Sequence, residues 1–221
     1  MLMDRVLRKF RDDAVKVLGN NLICLVHHGS RAKCEAHAES DYDSIIVVKE
    51  VNTRTIKAVQ KVLHNNPEFT TYLLSLRDIE GLPKGHLLEF TYAKPLYGKV
   101  KVDKPSKDEV WQYISHCRRD ELFSIRHWLV LPHPQDKKAR VVYYELKFAY
   151  VYLSYLAFTE TGELPATRKQ TIAYFESRSK HSLGVKLLRM LDNWGCYKDK
   201  VAKTPDHYLF MLERFFRNTK P

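Results

Sequence analysis

The sequence predicts an α+β protein whose first half alternates strands with helices and whose second half is helical throughout. Short apolar runs rich in β-branched residues recur between helical segments up to about residue 100. After that point the apolar residues keep helical spacing to the end of the chain. A charged, proline-bearing stretch lies between the two patterns, KVDKPSKDEVW at 101–111. It indicates a linker, and we expect domains at 1–103 and 104–221.

The spacing of apolar residues divides the first half into elements. An amphipathic helix is predicted at 2–18 and ends at Gly19. Three strands are predicted in LICLVHHGS, DYDSIIVVKE and EFTTYLLSL, with a helix in TRTIKAVQKVLHNN between the second and the third. The polar stretch RAKCEAHAES predicts a short helix or a loop. A short helix around 83–91 and a short strand near 96–100 complete this half.

The second half is predicted to be an all-α helical bundle. Polar or proline-bearing breaks interrupt the helical pattern at HPQD, TGELP, SRSKHS and KTPDH. Each interval between breaks carries apolar residues at helical spacing, so that one face of each helix can be buried. The predicted helices are 107–130, 137–159, 165–178, 181–193 and 203–218.

The formal net charge of +11 is unevenly distributed, with +3 in residues 1–100 and +8 in residues 101–221. This favours an anionic partner for the second half, such as nucleic acid or a nucleotide phosphate, but a solvated helical surface explains it equally well. Four scattered cysteines argue against a disulfide framework or a structural zinc site. The charged start and the absence of membrane-length apolar runs predict a soluble, cytoplasmic protein without a membrane partner.

A short motif between the first two strands indicates phosphate chemistry. Gly29 and Ser30 turn the chain after the first strand, where backbone N–H groups and a hydroxyl can hold phosphate. Arg31 follows and adds positive charge. Asp41 and Asp43 stand at alternating positions where the second strand begins, so both carboxylates face one side. Because Mg²⁺ takes one or two carboxylates and completes its shell with water and phosphates, the motif predicts metal-assisted transfer of a nucleotidyl group.

This region resembles the signature of the minimal nucleotidyltransferases of the polymerase-β-like superfamily. Its usual form is Gly-Ser-x-Ala-x-Gly, then Ser-Asp-x-Asp before an apolar strand. The likeness covers about residues 20–50 and extends more loosely to Gly98. The resemblance implies a mixed sheet flanked by helices, metal binding by two carboxylates, and an NTP donor such as ATP. The residues that fit are Gly29, Ser30, Arg31, Ala32, Glu35, Ala36, Ser40, Asp41 and Asp43.

Two features depart from the pattern of the family. Cys34 stands where a glycine is usual. Many members also carry a third carboxylate on the neighbouring strand, and in this chain that place falls on Thr71 or Tyr72. Glu68 and Glu89 lie before and after it in the sequence. Either glutamate could approach the pair, but the spacing selects neither.

A base for the acceptor hydroxyl is predicted in the second half. The kanamycin-type members of the superfamily carry a helical second domain that supplies an acidic base. The most apolar predicted helix, RVVYYELKFAYVYLSYLAF, contains Glu145 as its lone acid. We expect Glu145 to be the base, because a carboxylate in such a helix faces a cleft or is paired, and Lys147 to contact phosphate. Pairing of Glu145 with Arg126 or Arg140 is the structural alternative.

The sequence therefore predicts an Mg²⁺-dependent nucleotidyltransferase that moves NMP, most naturally AMP, from an NTP to a hydroxyl. The acceptor, whether a small molecule, RNA or a protein, is not specified by the sequence. Two alternatives stay open: a catalytically weak or inactive module that binds nucleotide or RNA, and a regulatory protein that nucleotidylates a partner protein. The many aromatic residues of the helical half make a homodimer plausible.

Overall fold

The computed structural model describes residues 4–36 and 40–219 and divides into two compact units. The first unit runs to Pro105, and the second begins at Ser106. A mixed four-stranded sheet with helices forms the first unit, and helices alone form the described part of the second. The predicted α+β class is therefore confirmed.

The sheet of the first unit has the strand order β3-β2-β1-β4. Its strands are β1 (Leu22–His28), β2 (Tyr42–Val48), β3 (Phe69–Ser75) and β4 (Lys94–Gly98). Strand β1 pairs antiparallel with β2 and β4, whereas β2 and β3 are parallel. The sheet is thus mixed, and the end of β1 lies beside the start of β2.

Five helices accompany the sheet, namely α1 (Arg5–Leu18), α2 (Gly29–Ala32), α3 (Thr53–His64), α4 (Leu76–Gly81) and α5 (Leu88–Tyr92). Two 3₁₀ turns, Gly19–Asn21 and Lys84–Leu87, complete the unit. Helix α4 was not predicted. It begins at a capping box in which the side chains of Ser75 and Asp78 each accept a hydrogen bond from the other's backbone N–H. The apolar spacing instead predicts Ser75 and Leu76 as the end of the preceding strand.

Alternation along the strands gives the sheet two different faces. One face packs α1 and α3 over Leu25, Ile46 and Val48. The opposite face carries Val26 of β1 and the β2 side chains Ile45 and Val47, with Ile79 and Leu87 packed against it. We call this second side the site face. Asp43 precedes Ile45 by two residues, so it points to the site face beyond the apolar core.

The second unit is built around one long helix. Its helices are α6 (Lys107–Val130), α7 (Gln135–Thr161), α8 (Arg168–Glu176), α9 (Ser182–Asp192), α10 (Trp194–Lys203) and α11 (Pro205–Asn218). Helix α7 packs against all the others and buries an apolar face from Val142 to Phe158. Helix α10 was missed, because only Trp194 and Val201 of its ten residues are buried and Asn193 alone separates it from α9.

None of the described helices combines the length and the apolar character that crossing a bilayer requires.

Candidate functional site

The candidate site lies where β1 ends and β2 begins. His28, the last residue of β1, is the cross-strand partner of Asp43. Gly29 follows with a φ of +73°, and a Cβ placed there would lie 2.0 Å from Oδ2 of Asp43. No side chain other than hydrogen fits, because both the backbone conformation and the space exclude one. The glycine turn and the second aspartate thus form one contiguous surface.

Thr70, on β3, contacts Asp41 and is also the cross-strand partner of Asp43. Its Cα is the β3 partner of Asp43, and its hydroxyl donates to Oδ2 of Asp41 at 2.6 Å. Asp41 and Asp43 are both half-buried. Thr70 was not anticipated as a site residue, although alternation along β3 places it and Tyr72 on the site face.

Tyr42, between the two aspartates, is anchored on the opposite face of the sheet. Its ring stacks on Phe69 at a centroid distance of 5.0 Å, and its hydroxyl donates to Asp4 at 3.0 Å. Burial raises the pKa of Tyr42, and the hydrogen bond to Asp4 raises it further. This anchoring fixes the register of β2, so its odd-numbered neighbours turn toward the site face.

Arg31 makes contacts that shape the loop before β2. Its Nε and Nη2 donate to the carbonyl oxygen of Ser40 at 2.9 and 2.7 Å, and its guanidinium lies 4.3 Å from the centroid of the Tyr42 ring. The sequence suggested a phosphate contact for Arg31. In the structure the guanidinium binds the backbone just before Asp41, and a phosphate contact of Arg31 stays a prediction. Ser30 is half-buried in the turn.

Two adjacent histidines end β1 and point to opposite faces. His27 lies on the Tyr42 side and is 3% exposed. Burial lowers its pKa to about 4, and the nearby positive charge of Lys94 contributes, so His27 is neutral near pH 7. His28 lies on the site face beside Asp43.

A glutamate from α5 also reaches the site face. Oε2 of Glu89 lies 3.5 Å from Nδ1 of His28, and the His28 and Tyr72 rings are 6.3 Å apart. Burial raises the pKa of Tyr72, and the negative charges of Glu89 and Asp43 raise it further. Glu89 therefore lies beside the last residue of β1, on the side of the sheet to which Asp43 points.

The donor set at this site fits a hard cation that binds few protein ligands. Within residues 4–36 and 40–219, no three His, Cys, Asp or Glu side chains are grouped closely enough to hold a metal ion. Asp41 and Asp43 supply two carboxylates, and Gly29 leaves the space that the Asp43 carboxylate occupies. Mg²⁺ suits such a site, since it usually keeps several waters and binds one or two carboxylates together with phosphates.

Glu145, predicted as the base, lies inside the helical unit and is 6% exposed. Its Oε1 accepts a hydrogen bond from Ser124 at 3.4 Å. Burial and, to a smaller extent, the neighbouring Glu121 raise the pKa of Glu145 to about 9, so this carboxyl holds a proton near pH 7. The suggested partner Arg126 instead pairs with Glu213.

Lys147, predicted as a phosphate contact, lies on the same helix as Glu145. Its ammonium is 5.6 Å from the centroid of the Tyr143 ring, and the residue is half-buried. This distance is within the range of a cation–π interaction, so Lys147 has a contact within its own helical unit.

The mixed sheet followed by a helical unit is a fold that a solved adenyltransferase shares. The chain is similar to spectinomycin adenyltransferase AAD(9) from Enterococcus faecialis, whose structure was solved with ATP and spectinomycin. The TM-score is 0.57 and the identity 16%, over 96% of this chain and 98% of that one. The fold suggested by the sequence resemblance is thereby confirmed.

Two further solved structures match the chain over about half its length. One is a toxin-antitoxin structure with AMP-PNP, with 16% identity, 52% of this chain, 98% of that chain and a TM-score of 0.32. The other comes from Shewanella oneidensis, with 14% identity, 56% of this chain, 99% of that chain and a TM-score of 0.32. No protein-family model and no curated protein sequence matches the chain.

Proposed function

We propose that this protein is an Mg²⁺-dependent nucleotidyltransferase that transfers NMP, most naturally AMP from ATP, to a hydroxyl group. The observation that carries the proposal is the fit between Gly29 and Asp43, in which the missing Cβ makes room for a carboxylate. Asp41 joins the same surface through Thr70. The similarity in fold to an adenyltransferase solved with ATP supports the proposal.

Asp41 and Asp43 would hold the metal ion. Thr70 fixes one oxygen of Asp41 and leaves the other carboxylate oxygen for a ligand. The chemistry that a bound Mg²⁺ supplies is polarisation of the α-phosphate and neutralisation of the charge that develops on the leaving pyrophosphate. Two carboxylates on one face of a strand repel each other, and a cation bound between them would relieve that repulsion.

The turn at Gly29 and Ser30 would hold the phosphate tail of the donor. Backbone N–H groups at the start of a helical turn have no partner within the turn, and the Ser30 hydroxyl adds a donor. Arg31 contributes indirectly, since its contacts with Ser40 and Tyr42 keep the two aspartates at the end of the sheet. We therefore assign donor binding to the turn and metal binding to the strand.

The reaction is an in-line displacement at the α-phosphorus of ATP. The acceptor oxygen forms a bond to that phosphorus, the bond to the β-phosphate breaks, and pyrophosphate leaves. The half-open aspartate pair lets a hydroxyl approach from solvent. The site residues do not identify the acceptor, so spectinomycin, taken from the similar adenyltransferase, is a first small-molecule probe.

Release of pyrophosphate from ATP tests the proposal directly. The acceptor panel comprises spectinomycin, a short RNA with free hydroxyls, a tyrosine-containing peptide, and water alone. We expect Mg²⁺-dependent release with at least one acceptor, and a loss of about 100-fold or more in Asp41→Asn and Asp43→Asn. Asp12→Asn is the matched control, because Asp12 is an exposed aspartate on α1. Equal rates in the wild type and the two site variants would contradict the proposal.

The panel also separates the alternatives. Turnover with the peptide alone would favour a protein that modifies a partner protein. Retention of RNA in a salt-dependent manner, without pyrophosphate release from any acceptor, would replace the enzyme with a binding module.

A further inference from the structure

The site face carries a third carboxylate that comes from a helix, not from a strand. We propose that Glu89, oriented by His28, is the general base that accepts the proton of the acceptor hydroxyl. This inference rests on the proposed function and adds the residue that activates the acceptor. It also moves the base from the helical unit, where the sequence suggested it, to the unit that holds the donor site.

The contacts of Glu89 place it beside the paired aspartates. Its carboxylate lies 3.5 Å from Nδ1 of His28, and His28 is the cross-strand partner of Asp43. The exposed ring of Tyr72, on β3, lies on the same face, with its centroid 6.3 Å from that of the His28 ring. Side chains opposite each other on neighbouring strands share a face, so Glu89 stands above the end of the sheet where Asp43 points.

His28 and Glu89 differ in how much of each side chain solvent can reach, and this difference indicates a different role for each. The side chain of His28 is 11% exposed, and that of Glu89 is 36% exposed. The Nε2 atom of His28 is enclosed and has no hydrogen-bond partner among the described residues. His28 therefore suits a positioning residue whose Nδ1 faces the Glu89 carboxylate at 3.5 Å, while Glu89 is accessible to a hydroxyl group from solvent.

Strand β3 offers no competing base on this face. The residues that alternation turns toward it are Thr70, Tyr72 and Leu74. Thr70 is already bonded to Asp41, and the phenol of Tyr72 has a raised pKa and holds its proton. Glu145 in the helical unit is also protonated near pH 7. Among these described side chains, Glu89 is the one that offers a carboxylate to an acceptor hydroxyl beside His28.

Bonds, protons and electron pairs balance in the proposed step. The acceptor R–OH loses its proton to the carboxylate of Glu89 as its oxygen bonds to the α-phosphorus. The bond between that phosphorus and the oxygen bridging to the β-phosphate breaks, and pyrophosphate leaves with the electron pair. The products are R–O–AMP, pyrophosphate and a protonated Glu89, which returns its proton to solvent.

Three glutamine variants test the assignment, each assayed for turnover and for the affinity of Mg²⁺·ATP. Turnover is measured with the best acceptor of the panel, or with water if no added acceptor supports it. We expect Glu89→Gln to lower kcat about 100-fold while the Kd of Mg²⁺·ATP changes less than about 3-fold. Glu80→Gln is the matched control, an exposed glutamate on α4 beyond the far end of β3, and should retain full kcat. Glu145→Gln tests the competing assignment, in which Glu145 is the general base.

His28 variants show whether the histidine acts by positioning. His28→Leu removes the donor to Glu89, and we expect kcat to fall about 10-fold or more. His28→Asn keeps an N–H near the position of Nδ1 and should restore most of that loss. Both variants should bind Mg²⁺·ATP like the wild type, and a thermal unfolding scan shows that they are folded.

The outcomes distinguish this inference from the function on which it rests. If Asp43→Asn abolishes turnover but Glu89→Gln does not lower it, the base assignment is wrong and the proposed function stands. A large loss in Glu145→Gln with none in Glu89→Gln returns the base to the helical unit. Both proposals are overturned if no acceptor, including water, supports turnover, or if Asp43→Asn turns over as fast as the wild type.

Discussion

Each unit of the molecule contains a pair of carboxyl groups, and the two pairs have opposite surroundings. Asp41 and Asp43 are half-buried at the end of a sheet, where a hydroxyl and a glycine backbone are among their neighbours. Glu145 is enclosed by helices, and its carboxyl is hydrogen-bonded to that of Glu121. The first pair is accessible from solvent, whereas burial and the neighbouring Glu121 raise the pKa of Glu145.

The difference shows that residue type alone does not assign a chemical role to an acid. Burial disfavours the charged form of a carboxyl, and a second acid nearby adds to that effect. Burial therefore favours the protonated form of a carboxyl, whereas two carboxylates that solvent reaches can bind a cation. A lone acid in an apolar helix looks like a base in the sequence, but Glu145 has an acid partner one helix away.

The largest effect is expected from Gly29→Ala, which would break the site without removing any charge. The new Cβ would lie 2.0 Å from Oδ2 of Asp43, and φ is +73°, so the carboxylate must move. We expect pyrophosphate release to fall about 100-fold and the free energy of unfolding to drop by about 1–3 kcal/mol.

Gly81→Ala is the matched control for that variant. A Cβ at this helical position would meet no heavy atom within 4 Å. Turnover and stability should stay near the wild-type values, because alanine is the better helix former. Gly29→Ala with wild-type turnover would show that the glycine contact does not shape the site.

An effect confined to stability is expected from Glu145→Gln. The pKa of Glu145 rises from an ordinary 4.5 to about 9 on folding, so the folded state binds the extra proton between these values. Wild-type stability therefore falls as the pH rises through this window, and glutamine removes that fall. From pH 5 to pH 8 the free energy of unfolding of the variant should rise relative to that of the wild type, by up to roughly 4 kcal/mol. Urea unfolding at the two pH values measures the gain.

An unchanged difference between the two proteins at pH 5 and pH 8 would show that Glu145 is ionised in the folded state. Lys138→Gln serves as a comparison, since Lys138 is also buried on α7 but is paired with Asp206 at 2.7 Å. Removing one partner of that ion pair should lower stability at both pH values.

The parts of the site that are local in sequence could be predicted. The strands around LICLVHH and DSIIVV, the glycine turn and the alternating aspartates all follow from spacing and turn chemistry within 22–48. The fold class followed from the change of apolar periodicity near residue 100. These features depend on neighbours within a few positions along the chain.

The remaining parts depend on packing between distant segments. Thr70 meets Asp41 across 29 residues, and Glu89 meets His28 across about 60. The spacing of Glu68 and Glu89 could not decide between them, because the choice depends on which face each one reaches. Arg31 was assigned to phosphate from its charge, whereas its contacts with Ser40 and Tyr42 depend on how the loop folds back.

The most direct test of the central claim is calorimetric titration of ATP in the presence and absence of Mg²⁺. The account predicts one ATP site per chain that requires Mg²⁺ and is weakened about 50-fold or more by Asp43→Asn, with Asp12→Asn binding like the wild type. Binding that is equally tight without Mg²⁺, or that Asp43→Asn leaves unchanged, would contradict a donor site built from Gly29, Asp41 and Asp43.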